Sequence, residues 1–166
     1  MKKVLLIIFI VLIFPSVKSQ EKSFGCRGGV SSGFTYQKFL EANRSMEAIM
    51  SFRRHGIQFT LLRQIHEIAL TEYVDNVFFI KGYGFHGGIF NEKTYYFAGR
   101  EFSYTNNYIA PVLGINAYFA LEYRVPSLPI RVGFDIKPFI EFSYPVIFNA
   151  VPYDFGFFLK YTFENL

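Results

Sequence analysis

The sequence predicts an all-β fold, a transmembrane antiparallel up-and-down β-barrel of eight strands. Three observations carry the prediction. Apolar residues recur with period two along most of the chain, the periodicity of strands and not of helices. Half of the 166 residues are hydrophobic and a fifth are aromatic, with 22 Phe, 12 Tyr and no Trp, while 18% are charged against about 25% in soluble domains. The chain also opens with an export signal. Such a balance excludes intrinsic disorder and coiled coil.

The signal comes first. Met1-Lys2-Lys3 is a short positive segment, Val4 to Phe14 is an unbroken run of eleven apolar residues, and Val17 and Ser19 are the small residues that precede a cleavage point. Eleven residues are too few to span a hydrocarbon core of about 30 Å. Residues 1–19 are therefore expected to be a cleaved secretory signal peptide, and 20–166 to form one barrel domain beginning at Gln20. Beyond the signal no apolar run reaches helix-spanning length. The signal also carries most of the formal charge of +4. Lys2, Lys3 and Lys18 account for three of the 17 basic residues, leaving 14 against 13 acids, so no nucleic-acid partner is expected. Cys26 is the only cysteine and cannot form an internal disulfide.

The strands then follow in order, over 24–34, 45–53, 56–66, 77–90, 94–102, 110–125, 128–141 and 154–163. Met46, Ala48, Met50 and Phe52 alternate with Glu47, Ile49, Ser51 and Arg53, and Ile57, Phe59 and Leu61 alternate with Gln58, Thr60 and Leu62. In the fourth strand Phe79, Tyr83, Phe85 and Ile89 oppose Gly82, Gly84, His86 and Gly88. Leu113, Ile115, Ala117, Phe119, Leu121 and Tyr123 alternate with Gly114, Asn116, Tyr118, Ala120, Glu122 and Arg124. The last strand sets Phe155, Phe157, Leu159, Tyr161 and Phe163 against Gly156, Phe158, Lys160 and Thr162. Short turns are expected at 53–56, 91–93 and 125–129, and longer connections at 35–44, 67–76, 103–109 and 142–153.

Which face meets which solvent decides between two barrels. A secreted, lipocalin-like barrel has an apolar interior and a polar exterior; an outer-membrane barrel has the reverse. The second face here is largely Gly, Ser, Thr and Asn with a few charges, which suits a narrow lumen filled by side chains. The aromatic-rich face suits lipid, and closure suits a solvent that offers no partner to an unpaired backbone group. The membrane barrel is the expected one.

Several segments carry a resemblance. They are Gly25-Cys26-Arg27-Gly28-Gly29, Gly82-Tyr83-Gly84-Phe85-His86-Gly87-Gly88, Leu121-Glu122-Tyr123-Arg124-Val125-Pro126, Phe134-Asp135-Ile136-Lys137-Pro138, Asp154-Phe155-Gly156 and Tyr161-Thr162-Phe163. With them the chain resembles the small outer-membrane β-barrel proteins of Bacteroidota-type bacteria, the outer membrane protein beta-barrel domain group, in an architecture similar to the OmpA/OmpX-type barrel. The closing Tyr161-Thr162-Phe163 is similar to the C-terminal aromatic signal of that group, although Glu164-Asn165-Leu166 follow it here. The resemblance implies a location in the bacterial outer membrane and a fold, but no single activity.

Charges on the small-residue face form the candidate site. Glu122 and Arg131 approach across the 125–129 turn, with Arg124, Asp135 and Lys137 on the same face, Lys160 on the last strand, Glu47 on the second and His86 among glycines. Opposite charges in a narrow lumen should pair. They would then either line an ion path or plug the barrel, and an eight-stranded lumen leaves little room for water. Arg63 and Lys81 fall on the lipid face. A cation at the bilayer midplane costs roughly 2–4 kcal/mol and little near the interface, so both are expected at the rim, Arg63 at the external one, beside anionic headgroups or simply snorkelling.

Catalysis has weak support. His55 lies in a turn, His86 among glycines, and His66-Glu67 is the best acid–base candidate but needs a serine such as Ser103 or Ser143. No hydrolase, zinc or nucleotide motif is present. The expectation is a monomeric barrel, not an enzyme, without cofactor or metal. Its role would be structural or in surface interaction, through outer-membrane lipid and through Tyr36, Phe39, Tyr73, Tyr104, Tyr108, Tyr144 and Tyr153 in the loops. A lipid-modifying enzyme and a small-ligand or ion-binding barrel are the alternatives.

Overall fold

The computed structural model describes residues 21–53, 56–69, 76–97, 100–143 and 149–163, with 91–97, 100–108 and 110 described by backbone alone. The predicted signal segment, His55, Tyr73, Tyr144 and Glu164-Asn165-Leu166 lie outside the described residues. Ten strands follow one another: β1 (Lys22–Gly29), β2 (Ser32–Glu41), β3 (Arg44–Arg53), β4 (Gly56–Ile68), β5 (Val77–Phe97), β6 (Arg100–Arg124), β7 (Ile130–Ile136), β8 (Phe139–Ser143), β9 (Asn149–Val151) and β10 (Phe155–Phe163). No helix occurs among the described residues.

All pairings are antiparallel, and the sheet closes on itself. Its order is β5-β4-β3-β2-β1-β10-β7-β6, and β6 pairs back onto β5. The first and last strands meet along their whole length, from Lys22 beside Phe163 to Gly29 beside Gly156. Both β7 and β8 pair with β6, and β9 pairs with β8. The interruption between β7 and β8 falls at Lys137-Pro138, where proline has no N–H for the ladder. The wall stays continuous there, because the Pro138 carbonyl accepts from the Ala117 N–H at 2.9 Å and the Lys137 N–H donates to the Asp154 carbonyl at 3.0 Å. With β7–β8 and β9–β10 each forming one wall strand, the barrel has eight strands.

Those eight are not the predicted eight. Residues 32–41, most of them expected in a connection, form β2, and the chain turns instead at Val30-Ser31, where the Val30 N–H donates to the Phe155 carbonyl. The pattern breaks at Lys38 and Phe39, because β2 sets the lysine toward the outside and the phenylalanine into the lumen, the reverse of the alternation over Phe34, Thr35, Tyr36 and Gln37. Conversely, 94–102 is not a wall strand. Asn91-Glu92-Lys93 lies within β5 and is not a turn. Residues 103–109, expected as a connection, belong to β6. The two strands run on past the wall as a ribbon that pairs, among the described residues, only with itself, from Asn91 beside Ile109 to Phe97 beside Arg100, with a register shift between Glu92 and Thr94.

An added strand before residue 44 reverses the next three. The Arg53–Gly56 pair therefore lies at the end opposite the described termini, together with Val30-Ser31 and the ribbon. The 42–43 and 125–129 connections, with Ala69 and Asn76, share the end of Lys22 and Phe163. Arg63, expected at the external rim, pairs with Met46 near the start of β3, and so sits at the termini's end.

The two faces separate sharply. Phe24, Phe34, Phe59, Phe85, Leu113, Ile115, Phe134, Phe157 and Leu159 are exposed on the outside, whereas the buried polar residues all point into the lumen. A small apolar cluster, Ile49, Leu62, Ile80, Tyr118, Ala120 and Phe158, fills part of that interior.

Candidate functional site: the ion-paired lumen

Strand alternation positions every lumen side chain, since residues two apart share a face. On β3 this aligns Glu47 and Arg53, on β7 and its continuation Arg131, Asp135, Lys137 and Glu141, and on β10 and the residue before it Asp154 and Lys160. Six lumen cations each find a carboxylate. Arg27 meets Asp135 at 2.5 Å, Arg53 meets Glu141 at 2.9 Å, and Arg124 meets Glu122 at 3.1 Å. Lys137 lies 3.3 Å from Asp154, Lys160 lies 2.7 Å from Glu47, and Arg131 pairs with Glu21 at the mouth. A buried charge left alone is expensive, so one-to-one pairing is what makes this interior tolerable.

The pairs form three groups along the lumen. Toward the termini, Glu122 accepts from Arg124 Nε and lies 3.8 Å from Arg131, while the Phe39 ring sits under both guanidinium groups at 5.6 and 4.8 Å. In the middle, Glu47 accepts from Gln64 Nε2 at 2.5 Å and from the Thr35 hydroxyl, and its partner Lys160 lies over the Phe158 ring.

The third group lies toward the ribbon end. Arg27 Nε donates to both Asp135 oxygens at 3.0 Å, and its Nη1 donates to Asp154 at 3.2 Å and to the Ser31 hydroxyl at 2.6 Å. Nearby, Arg53 donates to both Glu141 oxygens and is stacked between Phe139 and Phe90, 4.6 and 4.9 Å from their ring centres. His86 Nδ1 is 2.7 Å from the Asn116 side-chain oxygen, and its Nε2 is 3.6 Å from Glu141.

Glycines make space for these large groups. A Cβ on Gly156 would stand 2.6 Å from the Arg27 Cζ, and one on Gly114 would stand 2.4 Å from the His86 Cε1. Small residues on this face thus leave room for bulky charged neighbours, so the lumen is not simply small throughout.

Of the predicted lumen residues, Glu47, His86, Glu122, Arg131, Asp135, Lys137 and Lys160 are buried, and Arg124 is half-buried. Four central members were not singled out from the sequence: Arg27, Arg53, Glu141 and Asp154. Three were reachable by counting in twos, because Arg53 follows Glu47, Glu141 follows Lys137, and Asp154 precedes Lys160, each at an even spacing. Arg27 needed the position of the Val30-Ser31 turn. Arg63 and Lys81 lie on the outer surface, and Lys81 pairs with Glu67 at 2.5 Å.

The serine beside His66 is neither Ser103 nor Ser143. Ser45 Oγ lies 2.8 Å from His66 Nε2, within a cluster in which Gln37 Nε2 donates to Ser45 Oγ and to Gln64 Oε1. His66 Nδ1 has no hydrogen-bond partner and Ser45 is wholly buried. A serine nucleophile needs a base that a third group orients; here the hydroxyl is one node of a packed amide–hydroxyl cluster. No group of three or more metal-ligating side chains occurs among the described residues.

Fold and site together define a closed eight-stranded antiparallel barrel with an ion-paired interior and an apolar exterior. Among solved structures it is similar to the crystal structure of the N-terminal β-barrel domain of Pseudomonas aeruginosa OprF, with a TM-score of 0.56 at 10% identity over 87% of this chain and 97% of that one. No protein-family model and no curated protein matches the sequence. The likeness is one of fold.

Proposed function

We propose that this protein is an integral barrel of the bacterial outer membrane, closed to bulk flow by its ion-paired lumen and serving a structural or surface-interaction role. The carrying observation is the inverted distribution of polarity. Phe157 is 75% exposed and Leu113 70%, while Lys137, Glu122 and Lys160 are at most 1% exposed. Water penalises that arrangement and hydrocarbon favours it. The OprF-like fold and the N-terminal export pattern support the same location.

The plug reading rests on the six paired cations and on the rings of Phe39, Phe90 and Phe139 packed against their guanidinium groups. The protein acts as a monomer, without cofactor and without enzymatic turnover, and the ribbon carries Tyr104 and Tyr108 toward partners outside the cell.

Cell fractionation with gel mobility before and after boiling tests the location. The protein should appear in the outer membrane, cleaved before Gln20, and should migrate differently once boiled; a soluble protein of unchanged mobility would refute the barrel in its membrane. Planar-bilayer recording tests the plug, where steady ohmic steps in the wild type would overturn it.

A further inference from the structure

The described outward face of the wall carries its charges in one place. Among the described outward-facing wall residues, the cations are Lys22 on β1, Lys38 on β2, Arg44 on β3, Arg63 on β4 and Lys81 on β5; the outward faces of β6, β7, β8 and β10 have no charged residue from Ile109 onward. Register joins the five into a belt. Lys22 pairs with Lys38, Lys38 with Met46, Met46 with Arg63, and Arg63 with Tyr83. One step closer to the termini's end, Arg44 pairs with Ile65 and Ile65 with Lys81. Glu41 lies 3.4 Å from Arg44 and Glu67 2.5 Å from Lys81, while Lys22, Lys38 and Arg63 have no ion pair among the described residues. Five cations against two carboxylates leave a net charge of +3 on half the circumference. Arg44, Arg63 and Lys81 also line a surface groove of about 410 Å³ with Ile65, Gly82, Tyr83 and Phe119.

We propose that this belt binds the phosphate headgroups of anionic phospholipid in the inner leaflet of the outer membrane, with the Arg44–Arg63–Lys81 groove as its main seat. The inference rests on the membrane reading above and adds a lipid class and a leaflet. Lipid-facing cations are tolerated only at the headgroup level, where each gains from a negative surface. Guanidinium groups suit phosphate oxygens in particular, and Tyr83 and Phe119 offer an apolar wall for the upper acyl chain. The leaflet follows from the topology. The ribbon projects from the opposite end, where outer-membrane barrels carry their long external extensions, and the belt shares the end of the termini and the 42–43 and 125–129 turns. That end meets phospholipid and not the lipid A of the outer leaflet.

The test is native mass spectrometry of the full mature chain released from nanodiscs holding equal amounts of phosphatidylcholine and phosphatidylglycerol, with a parallel arm that replaces the latter by lipid A. The wild type should retain phosphatidylglycerol in preference to both other lipids. Each cation removed in Arg44→Gln, Arg63→Gln and Lys81→Gln should lower that preference about fivefold. Glu67→Gln, which frees Lys81, should raise it. Should Arg44→Gln or Lys81→Gln fail to insert, Arg63→Gln alone carries the comparison. Equal retention by the wild type, a preference unchanged by these variants, or stronger retention of lipid A would overturn the proposal while leaving the membrane barrel standing. Failure of the wild type to insert would overturn both.

Discussion

Arg27 and Asp135 stand 108 positions apart, yet Arg27 Nη2 meets Asp135 Oδ1 at 2.5 Å inside the barrel. Their strands are not neighbours. β10 runs between β1 and β7, and Gly156 on it pairs with Gly29 on one side and with Asp135 on the other. The guanidinium reaches across the space where Gly156 has no side chain, and so ties the seam between first and last strands to the strand beyond it.

Removing Arg27 should therefore be costly. Arg27→Ala leaves Asp135 and Asp154 buried without their shared cation, and loss of one partner from a buried pair costs about 3–5 kcal/mol. Urea titration followed by gel mobility should show a correspondingly lower midpoint. Adding Asp135→Asn to Arg27→Ala should restore part of it, because the orphaned charge is gone. A midpoint equal to wild type in the single variant would contradict the role assigned to the pair.

Two glycines on one barrel should respond differently to the same change. Gly156→Ala drives a methyl group into the Arg27 guanidinium, which two aspartates hold in place, and overpacking of this kind costs about 1–3 kcal/mol. Gly28→Ala meets nothing within 4 Å and should be close to neutral. The same urea titration compares them, and equal effects would mean that Gly156 does not serve as the passage for Arg27.

The lipid-facing assignment predicts an unusual cost for a surface charge. Phe157 is highly exposed and lies mid-strand in β10. In water, Phe157→Arg at such a site should change stability by about 0.5 kcal/mol or less. Facing the bilayer interior, it should cost about 2–4 kcal/mol. Folding equilibria measured in phospholipid vesicles distinguish the two.

Among the described residues, the ribbon beyond Phe90 pairs only with itself. Deleting 92–108 and closing β5 to β6 with a short glycine-containing turn should leave heat-modifiable mobility intact, since no ladder of the closed wall is broken. Loss of folding on that deletion would show that the ribbon belongs to the wall.

Alternation by itself determined the strand character, the inward and outward sets and most of the lumen charges, because a period of two assigns Glu47, Asp135 or Lys160 to a face without knowledge of any neighbour. It could not decide where one strand ends and the next begins. Lys38 outside, with Phe39 inside, blurred β2, and nothing local distinguishes a turn at 91–93 from two paired strands that run on to Phe97 and from Arg100. Only closure of the sheet decided those points, and with them the end at which Arg63 sits and the identity of Arg27's partners. Strand direction and ion-pair partnership are properties of the ring. Each depends on how many times the chain has already crossed it, and no single segment records that number.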